Sequence, residues 1–374
     1  MTSVDSSLSL SVALATTATE LGGTWRHIED LGRELQRRDF QVIISSPAAN
    51  AALRKAIAAA GLDWLPLAAS VRRRDIDVWH VHLPNTYDRS VLALLAARRI
   101  WGPVVVTEHL PRTDASDAGL GSVDERRTRG AATAKTAFKR AQFSLVARII
   151  TVGVGAARFL EARYRLAPGR VNVVFNGVPP EEWIPPRAPR TPLEVVAVGS
   201  VIRQKGFDVL VNAASLSSKW NVTFYGDGPH LRSLQTKAAS LCAGRLTFAG
   251  RVEDPILRIR DADVVCIPSR WESSSYVALE AGAVGRPVIA SNVDGVNEIV
   301  VSNLTGQLVR PNDPTQLAAA LDAAAESSGE LRRWGYEAHR RITTMFTLER
   351  MVDQTIAVYR SALSGSGSHG KATR

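Results

Sequence analysis

DADVVCIPSRWESSSYVALEAGAVGRPVIA, residues Asp261–Ala290, reads as strand, short polar loop, helix, strand. Val264–Ile267 is an apolar run of β-formers, suited to a strand covered on both faces. Pro268 and Ser269 end it. Trp271–Ser275 forms the loop, and Ser273, Ser274 and Ser275 each have the chemistry of a helix N-cap. Gly285 closes the helix and Arg286-Pro287 opens the next strand, Val288–Ala290. A helix that begins in a serine loop presents unpaired backbone N–H groups and a partial positive charge. Such a terminus is a natural seat for phosphate.

Two carboxylates bracket that seat, Glu272 in the loop and Glu280 in the helix. A carboxylate repels phosphate, so its use beside one is to accept hydrogen bonds from hydroxyls. A sugar nucleotide carries hydroxyls on both sides of its diphosphate. The plainer reading makes Glu272 a capping carboxylate and Glu280 a solvated helix residue, and the spacing alone leaves both open.

The neighbouring residues bear on that choice. Glu272, Glu280, Ala281, Gly285, Pro287 and Val288 stand in the order of the signature of the retaining glycosyltransferases of family 4, and the segment resembles that family. The resemblance runs through nearly the whole chain, densely after Leu193. It implies an α/β GT-B fold: two Rossmann-like, doubly wound domains facing across a cleft. Residues 1–180 would form the acceptor-binding domain, 181–192 a linker and 193–347 the nucleotide-sugar domain. A helix over 348–363 would pack back on the first domain, before a polar tail, 364–374.

The chain as a whole fits this. A length of 374 residues suits two ordinary domains, and 45% hydrophobic with 22% charged residues is the balance of a globular protein. Cys242 and Cys266 are too few for a disulfide framework; Cys266 reads as core, and a reducing, cytoplasmic setting is expected. No apolar run approaches the roughly 20 residues of a spanning helix. LSLSVALATTA lacks a basic flank and reads as the first strand, Leu8–Ala15, rather than a leader. The net charge of +10 fits an anionic partner such as a nucleotide or an anionic membrane surface. No nucleic-acid-binding motif accompanies it.

Taken in order, Glu20–Thr24 is a glycine-rich turn between the first strand and a helix from Trp25 to Arg37, with Gln41–Ser45 the next strand. This is a mononucleotide-binding order, in which Gly22 and Gly23 would let the backbone approach a ligand or adopt positive φ. Strands recur at Val78–Val81 and Pro103–Thr107, with helical segments around Ala51–Ala60 and Arg89–Ile100. His80, His82 and His109 fall at strand ends, where α/β sheets bind ligands. His109 also matches the family's Thr-x-His as Thr107-Glu108-His109, which implies a place beside the reacting sugar.

Gly119–Gly130 reads as a loop and Ala131–Ala147 as a helix with Ala134, Phe138, Ala141 and Leu145 on its apolar face. Lys135, Lys139 and Arg140 join Arg126, Arg127 and Arg129 in the most basic stretch of the chain. It suits either anionic lipid and a polyprenyl phosphate-linked acceptor, or plain solvation. Strands follow at Ile149–Val152 and Val171–Phe175, the latter running into Asn176-Gly177-Val178, which resembles a family element before the linker.

In the second domain, Gly199–Gly206 resembles the family's Gly-Arg-x4-Lys-Gly, in which the two cations clamp the diphosphate. Lys205 matches, but the arginine position is Ser200, and Arg203 is the substitute at hand. A leaving diphosphate gains negative charge, which cationic donors stabilise. Gly226-Asp-Gly-Pro229 matches a family turn. The resemblance also implies that the backbone after Gly250, in Gly250-Arg251-Val252, holds the base, which makes Val252 a candidate base-contact residue. Asp294-Gly295-x-x-Glu298 and Thr305-Gly306-x-Leu-Val309 match further landmarks, read on their own as turns and caps.

The resemblance therefore implies retaining transfer of a sugar from a UDP- or GDP-linked donor to a sugar, lipid-linked or small-molecule acceptor. Lys205, Arg203 and the N–H groups near Ser274, Ser275 and Tyr276 would hold the diphosphate. Glu280 would take the ribose, Glu272 the donor sugar, and His109 would line the sugar pocket. Gly22, Gly23 and Gly226 would let the backbone come close. Lysine and a helix dipole can take the place of a metal at the diphosphate, so neither a metal nor a cofactor is expected. A catalytically silent GT-B partner subunit and a sugar-nucleotide epimerase are the alternatives.

Overall fold

The computed structural model describes residues 10–366 apart from 19–20, 48–50, 85–90, 92–94, 96–101, 110–124, 184, 186–188, 243 and 253, with backbone alone at 125–133 and 366. The chain divides into two compact units. One is Met1–Phe175 with Leu348–Arg374; the other is Asn176–Thr347.

The first unit is built on seven parallel strands: Ser11–Thr16 (β1), Gln41–Ser46 (β2), Asp63–Pro66 (β3), Val78–Leu83 (β4), Val104–Glu108 (β5), Arg148–Thr151 (β6) and Val171–Val173 (β7). Their order across the sheet is β3-β2-β1-β4-β5-β6-β7. β1 and β4 are buried at every residue, as a sheet covered on both faces requires. The helix Gly23–Arg37 buries Trp25, Ile28, Leu31 and Leu35 on one side. Spacings of three and four residues bring these onto a single stripe.

That stripe shares a core with Met351, Val352, Tyr359 and Ala362 of the last helix, Leu348–Ser366. The Arg148 guanidinium donates to Ser361 Oγ at 2.9 Å, and Arg38 pairs with Asp353. The last helix is thus part of the first unit, and it continues three residues past the expected end at Leu363; residues 367–374 of the expected tail lie outside the described residues.

The helix Glu125–Ser144 differs from expectation twice. It takes in residues 125–130, which read as loop; residues 119–124 of that loop lie outside the described residues. Its buried face also runs through Lys139, Gln142 and Phe143 rather than Ala134, Phe138 and Ala141, and beyond its end Val146 is buried while Leu145 is part-buried. The cause is Glu108, fully buried at the end of β5 and ion-paired with a fully buried Lys139. A buried carboxylate must be matched by a cation, and this constraint rotates the helix away from its apolar stripe. Of the helix expected at Arg89–Ile100, only Val91 and Leu95 are described, both helical and fully buried.

The second unit repeats the plan with Leu193–Val198 (β8), Trp220–Tyr225 (β9), Leu246–Gly250 (β10), Val264–Ile267 (β11), Val288–Ser291 (β12) and Gly306–Val309 (β13), ordered β10-β9-β8-β11-β12-β13. All pairs are parallel. Gly306–Val309 therefore forms the edge strand, not a turn. A Cβ at Gly306 would lie 2.0 Å from the Val288 carbonyl oxygen, so glycine allows it to pair there.

The proline-rich segment before β8 is anchored on this unit. Glu181 pairs with Arg260 at 2.9 Å, and Trp183 packs on Tyr336 and His339. No helix among the described residues is long and apolar enough to cross a membrane.

Candidate active site

In both sheets the strand order reverses beside the first strand of the unit: between β1 and β4, and between β8 and β11. Parallel α/β sheets leave a crevice at the carboxyl ends of such strands. The sequence-expected residues divide between these two positions.

In the second unit the loop after β8 is stitched to the loop after β11. Arg270 N donates to the Gln204 carbonyl at 2.8 Å, and Gln204 Nε2 donates to the Trp271 carbonyl at 3.0 Å. The Arg270 guanidinium donates to the Arg203 carbonyl at 2.7 Å and to both carboxylate oxygens of Asp208 at 2.8 and 2.7 Å. Burial pushes the Asp208 carboxyl up, but the hydrogen bonds and charge of Arg270 outweigh it and leave Asp208 below its ordinary value. Gly206 sits at φ +65°, where a Cβ would lie 2.0 Å from the Pro268 carbonyl oxygen. Only glycine permits both that conformation and that approach.

The stitching places Lys205 Nζ 2.6 Å from Glu272 Oε1, which also accepts from Ser269 Oγ at 2.8 Å. Glu272 is almost fully buried, whereas the Lys205 side chain stays about a quarter exposed. The carboxylate that would repel phosphate is thus matched by the lysine that would attract it. Ser275 is the N-cap of the helix Tyr276–Ala283; its Oγ accepts from Ala278 N at 3.4 Å. Gly295, at φ +73°, packs against the Ser273 backbone and its carbonyl accepts from Ser275 N at 3.1 Å, fixing the loop that leads into the helix. Ser274 and Tyr276 flank the cap, and both are part-buried.

Glu280 lies in the same helix and is buried rather than solvated. Gly226, at φ +146°, crosses Gly199 so closely that a Cβ would lie 1.9 Å from its carbonyl oxygen. Gly226 N donates to the Gly250 carbonyl at 2.8 Å, and part-buried Val252 follows two residues later.

Arg203 diverges from this group. It is exposed and lines a cavity of about 360 Å³ with Phe207, Asp208, His230 and Lys237, a cavity that Lys205 and Glu272 do not line. Sequence reading missed Ser269 and Arg270. Their only signal was proximity to Glu272, and the bonds they make join segments more than sixty residues apart or close a local turn.

In the first unit, Gly22 caps the helix Gly23–Arg37 at φ −115°, an extended conformation open to any residue, and nothing lies within 4 Å of where its Cβ would be. The expectation of positive φ is not met there. Gly22 instead leaves open space at the end of β1.

Four imidazoles gather near this turn. His80 is core: its Nδ1 lies 2.7 Å from the Tyr359 hydroxyl and its Nε2 2.6 Å from Thr107 Oγ1. His82 Nδ1 lies 3.2 Å from His109 Nε2, and the two rings stack at 5.4 Å. His27, which sequence reading passed over, meets the His109 ring edge-on at 4.8 Å. Burial, and secondarily the neighbouring imidazoles, hold His80, His82 and His109 well below the ordinary histidine range, so these rings are neutral at pH 7.

The model of the glycosyl transferases group 1 family matches residues 181–341, and that of Glycosyltransferase Family 4 matches residues 21–182. A D-inositol 3-phosphate glycosyltransferase of Catenulispora acidiphila is 31% identical over 326 residues, covering 78% of this chain and 73% of its own. The glycogen synthase of Mycobacterium tuberculosis is 29% identical over 204 residues, 52% of this chain; the match spans 49% of that enzyme's length. The crystal structure of Anabaena HepE in complex with UDP superposes with a TM-score of 0.76 at 15% identity, covering 94% of this chain and all of that one. Two doubly wound parallel sheets, each with a glycine-turned loop at its switch point, and a 31% identical relative matched over most of its length show that the chain belongs to the glycosyltransferases of GT-B fold.

Proposed function

We propose that the protein transfers a sugar from a nucleoside-diphosphate sugar to an acceptor hydroxyl with retention of anomeric configuration. The Lys205–Glu272 pair, set beside the N-terminus of the helix Tyr276–Ala283, carries this reading. A donor diphosphate would be held by Lys205 and the backbone N–H groups at Ser274, Ser275 and Tyr276. That arrangement supplies positive charge where the leaving group develops negative charge, and it needs no divalent ion. Glu272 Oε1 already accepts from Lys205 and Ser269, which leaves Oε2 for a donor-sugar hydroxyl. Glu280 takes the ribose and the backbone near Val252 the base. In the first unit, His109 and the open turn at Gly22 and Gly23 serve the sugar and the acceptor. His109, being neutral, acts as a hydrogen-bonding group rather than a strong base.

Arg203 contributes least to this arrangement. With Ser200 in place of the family arginine, Lys205 and the helix terminus carry the diphosphate alone. Lipid-linked or polysaccharide acceptors are the reading for the acceptor side.

The test is thermal stability with UDP, GDP, ADP and their sugar conjugates, in EDTA. A nucleotide at about a hundredfold above its Kd stabilises the native state by roughly 2.7 kcal/mol. A shift with one nucleotide, reduced by Lys205→Ala, supports the donor site. A folded protein that responds to none would favour a silent partner subunit. Proton NMR of the newly formed anomeric centre tests retention.

A further inference from the structure

The sugar chemistry above leaves His27 and His82 unused. They come from different elements: His27 from the helix Gly23–Arg37 and His82 from the end of β4, with His109 just beyond β5. One ring nitrogen from each of the three residues lies within 4.8 Å of the other two. His82 Nδ1 and His109 Nε2 are already 3.2 Å apart. Two nitrogens bound tetrahedrally to one ion at ~2.0–2.1 Å are separated by about 3.3 Å, so this pair needs almost no movement.

We propose that His27, His82 and His109 form a site for a borderline divalent transition-metal ion of the zinc class, with its fourth position open.

The donor set selects the ion. Three imidazoles without a carboxylate suit zinc, cobalt or nickel and exclude magnesium and calcium, which demand oxygen ligands. In the hydrogen bond between His82 Nδ1 and His109 Nε2 one ring donates, so that ring shifts its proton to its other nitrogen when both ligate. The support behind the ligands is also built. His82 packs at 4.0 Å on His80, and His80 is pinned by Thr107 on one side and Tyr359 on the other. A ligand ring whose orientation is fixed by its neighbours loses little freedom on binding. When Nδ1 of His82 ligates, its proton resides on Nε2, a buried atom with no hydrogen-bond partner among the described residues.

The three ligands belong to the first unit and the residues proposed for the diphosphate to the second, and the metal is assigned no part in transfer. On the proposed function, an ion at these residues would withdraw His109 from the sugar, so zinc would inhibit transfer and a chelator would restore it.

Metal binding is measured on the full chain without substrate, so its outcome is independent of whether the protein transfers sugar. Metal-free protein is titrated with Co(II) and followed by visible absorption, then with Zn(II) in competition with a chromophoric chelator. Expected are about one ion per chain, the intense visible bands of tetrahedral cobalt, and a loss of affinity of at least about a hundredfold in His27→Gln and in His82→Gln. His230→Gln, far along the sequence in the second unit, should leave binding unchanged. Zinc-edge X-ray absorption on the unaltered protein guards against variants that fail to fold: three imidazole nitrogens and one oxygen are expected. Absence of the tetrahedral spectrum, fewer than three imidazoles at zinc, or undiminished binding in both folded variants would overturn the proposal.

Discussion

Lys205 and Glu272 show how much one contact can decide. Each was legible in the sequence from its place in a motif, but they were expected to meet different parts of a donor. In the fold they meet each other at 2.6 Å. A charge-assisted hydrogen bond is worth about 1.5–3 kcal/mol, so Lys205→Ala should weaken nucleotide binding by ten- to a hundredfold, and it should lower the melting temperature of the free protein because buried Glu272 loses its cation. Isothermal titration of the variant with the preferred nucleotide measures the first, and calorimetry the second. Two glycines give a sharper contrast. Gly206→Ala forces a side chain into the Pro268 carbonyl at positive φ and should cost more than about 1 kcal/mol in urea unfolding. Gly22→Ala meets open space at φ −115° and should cost only a few tenths of a kcal/mol. If Gly22 serves the acceptor, that variant should nonetheless transfer more slowly.

At the scale of elements, the helix Glu125–Ser144 turns on a buried ion pair. Glu108 and Lys139 are both fully enclosed, and burial, opposed by Lys139, holds the Glu108 carboxyl above its ordinary value. Removing one member strands the other, so Lys139→Ala should destabilise the protein by about 3–5 kcal/mol. The double replacement Glu108→Gln with Lys139→Met should recover much of that loss in denaturant titrations. The loop after β8 is held differently, by the bidentate Arg270–Asp208 pair. The Asp208 carboxyl titrates below its unfolded value, so its contribution is complete above the ordinary aspartate range near pH 4. It is lost as pH falls through the lower folded-state value. Melting temperatures measured downward from pH 5 should therefore converge for the native protein and Asp208→Asn, which differ at pH 7. A gap that persisted at the acid end would rule out the pair as its source.

For the whole molecule, the first unit is assembled from two distant stretches of chain. Ile28, Leu31 and Leu35 have their partners in Met351, Val352 and Tyr359, more than 300 residues away in sequence. A chain ending at residue 347 should lose the first unit's cooperative unfolding, seen as a missing transition in calorimetry and as premature amide exchange in β1 and β4. Tyr359→Phe makes a milder version of the same test. It removes the hydroxyl that meets His80 Nδ1 in the core and should cost about 1–3 kcal/mol.

The amino-acid sequence alone determined the two-sheet architecture. Alternating apolar runs, glycine turns and amphipathic helices are local properties, readable wherever a period of two or 3.6 persists. It also determined the serine-capped helix at Ser275 and the place of Glu272 and Glu280 beside that cap, because one motif keeps those two residues near one another along the chain. Only the tertiary structure decided which polar groups meet. The pairing of Lys205 with Glu272, the burial of Lys139 against Glu108 and the gathering of His27, His82 and His109 join residues 27 to 82 apart in sequence. Charge and hydrogen-bonding capacity carry no period. Their partners are set by where strands end in a sheet, and a helix expected to bury its apolar face turned instead to bring Lys139 onto a buried carboxylate.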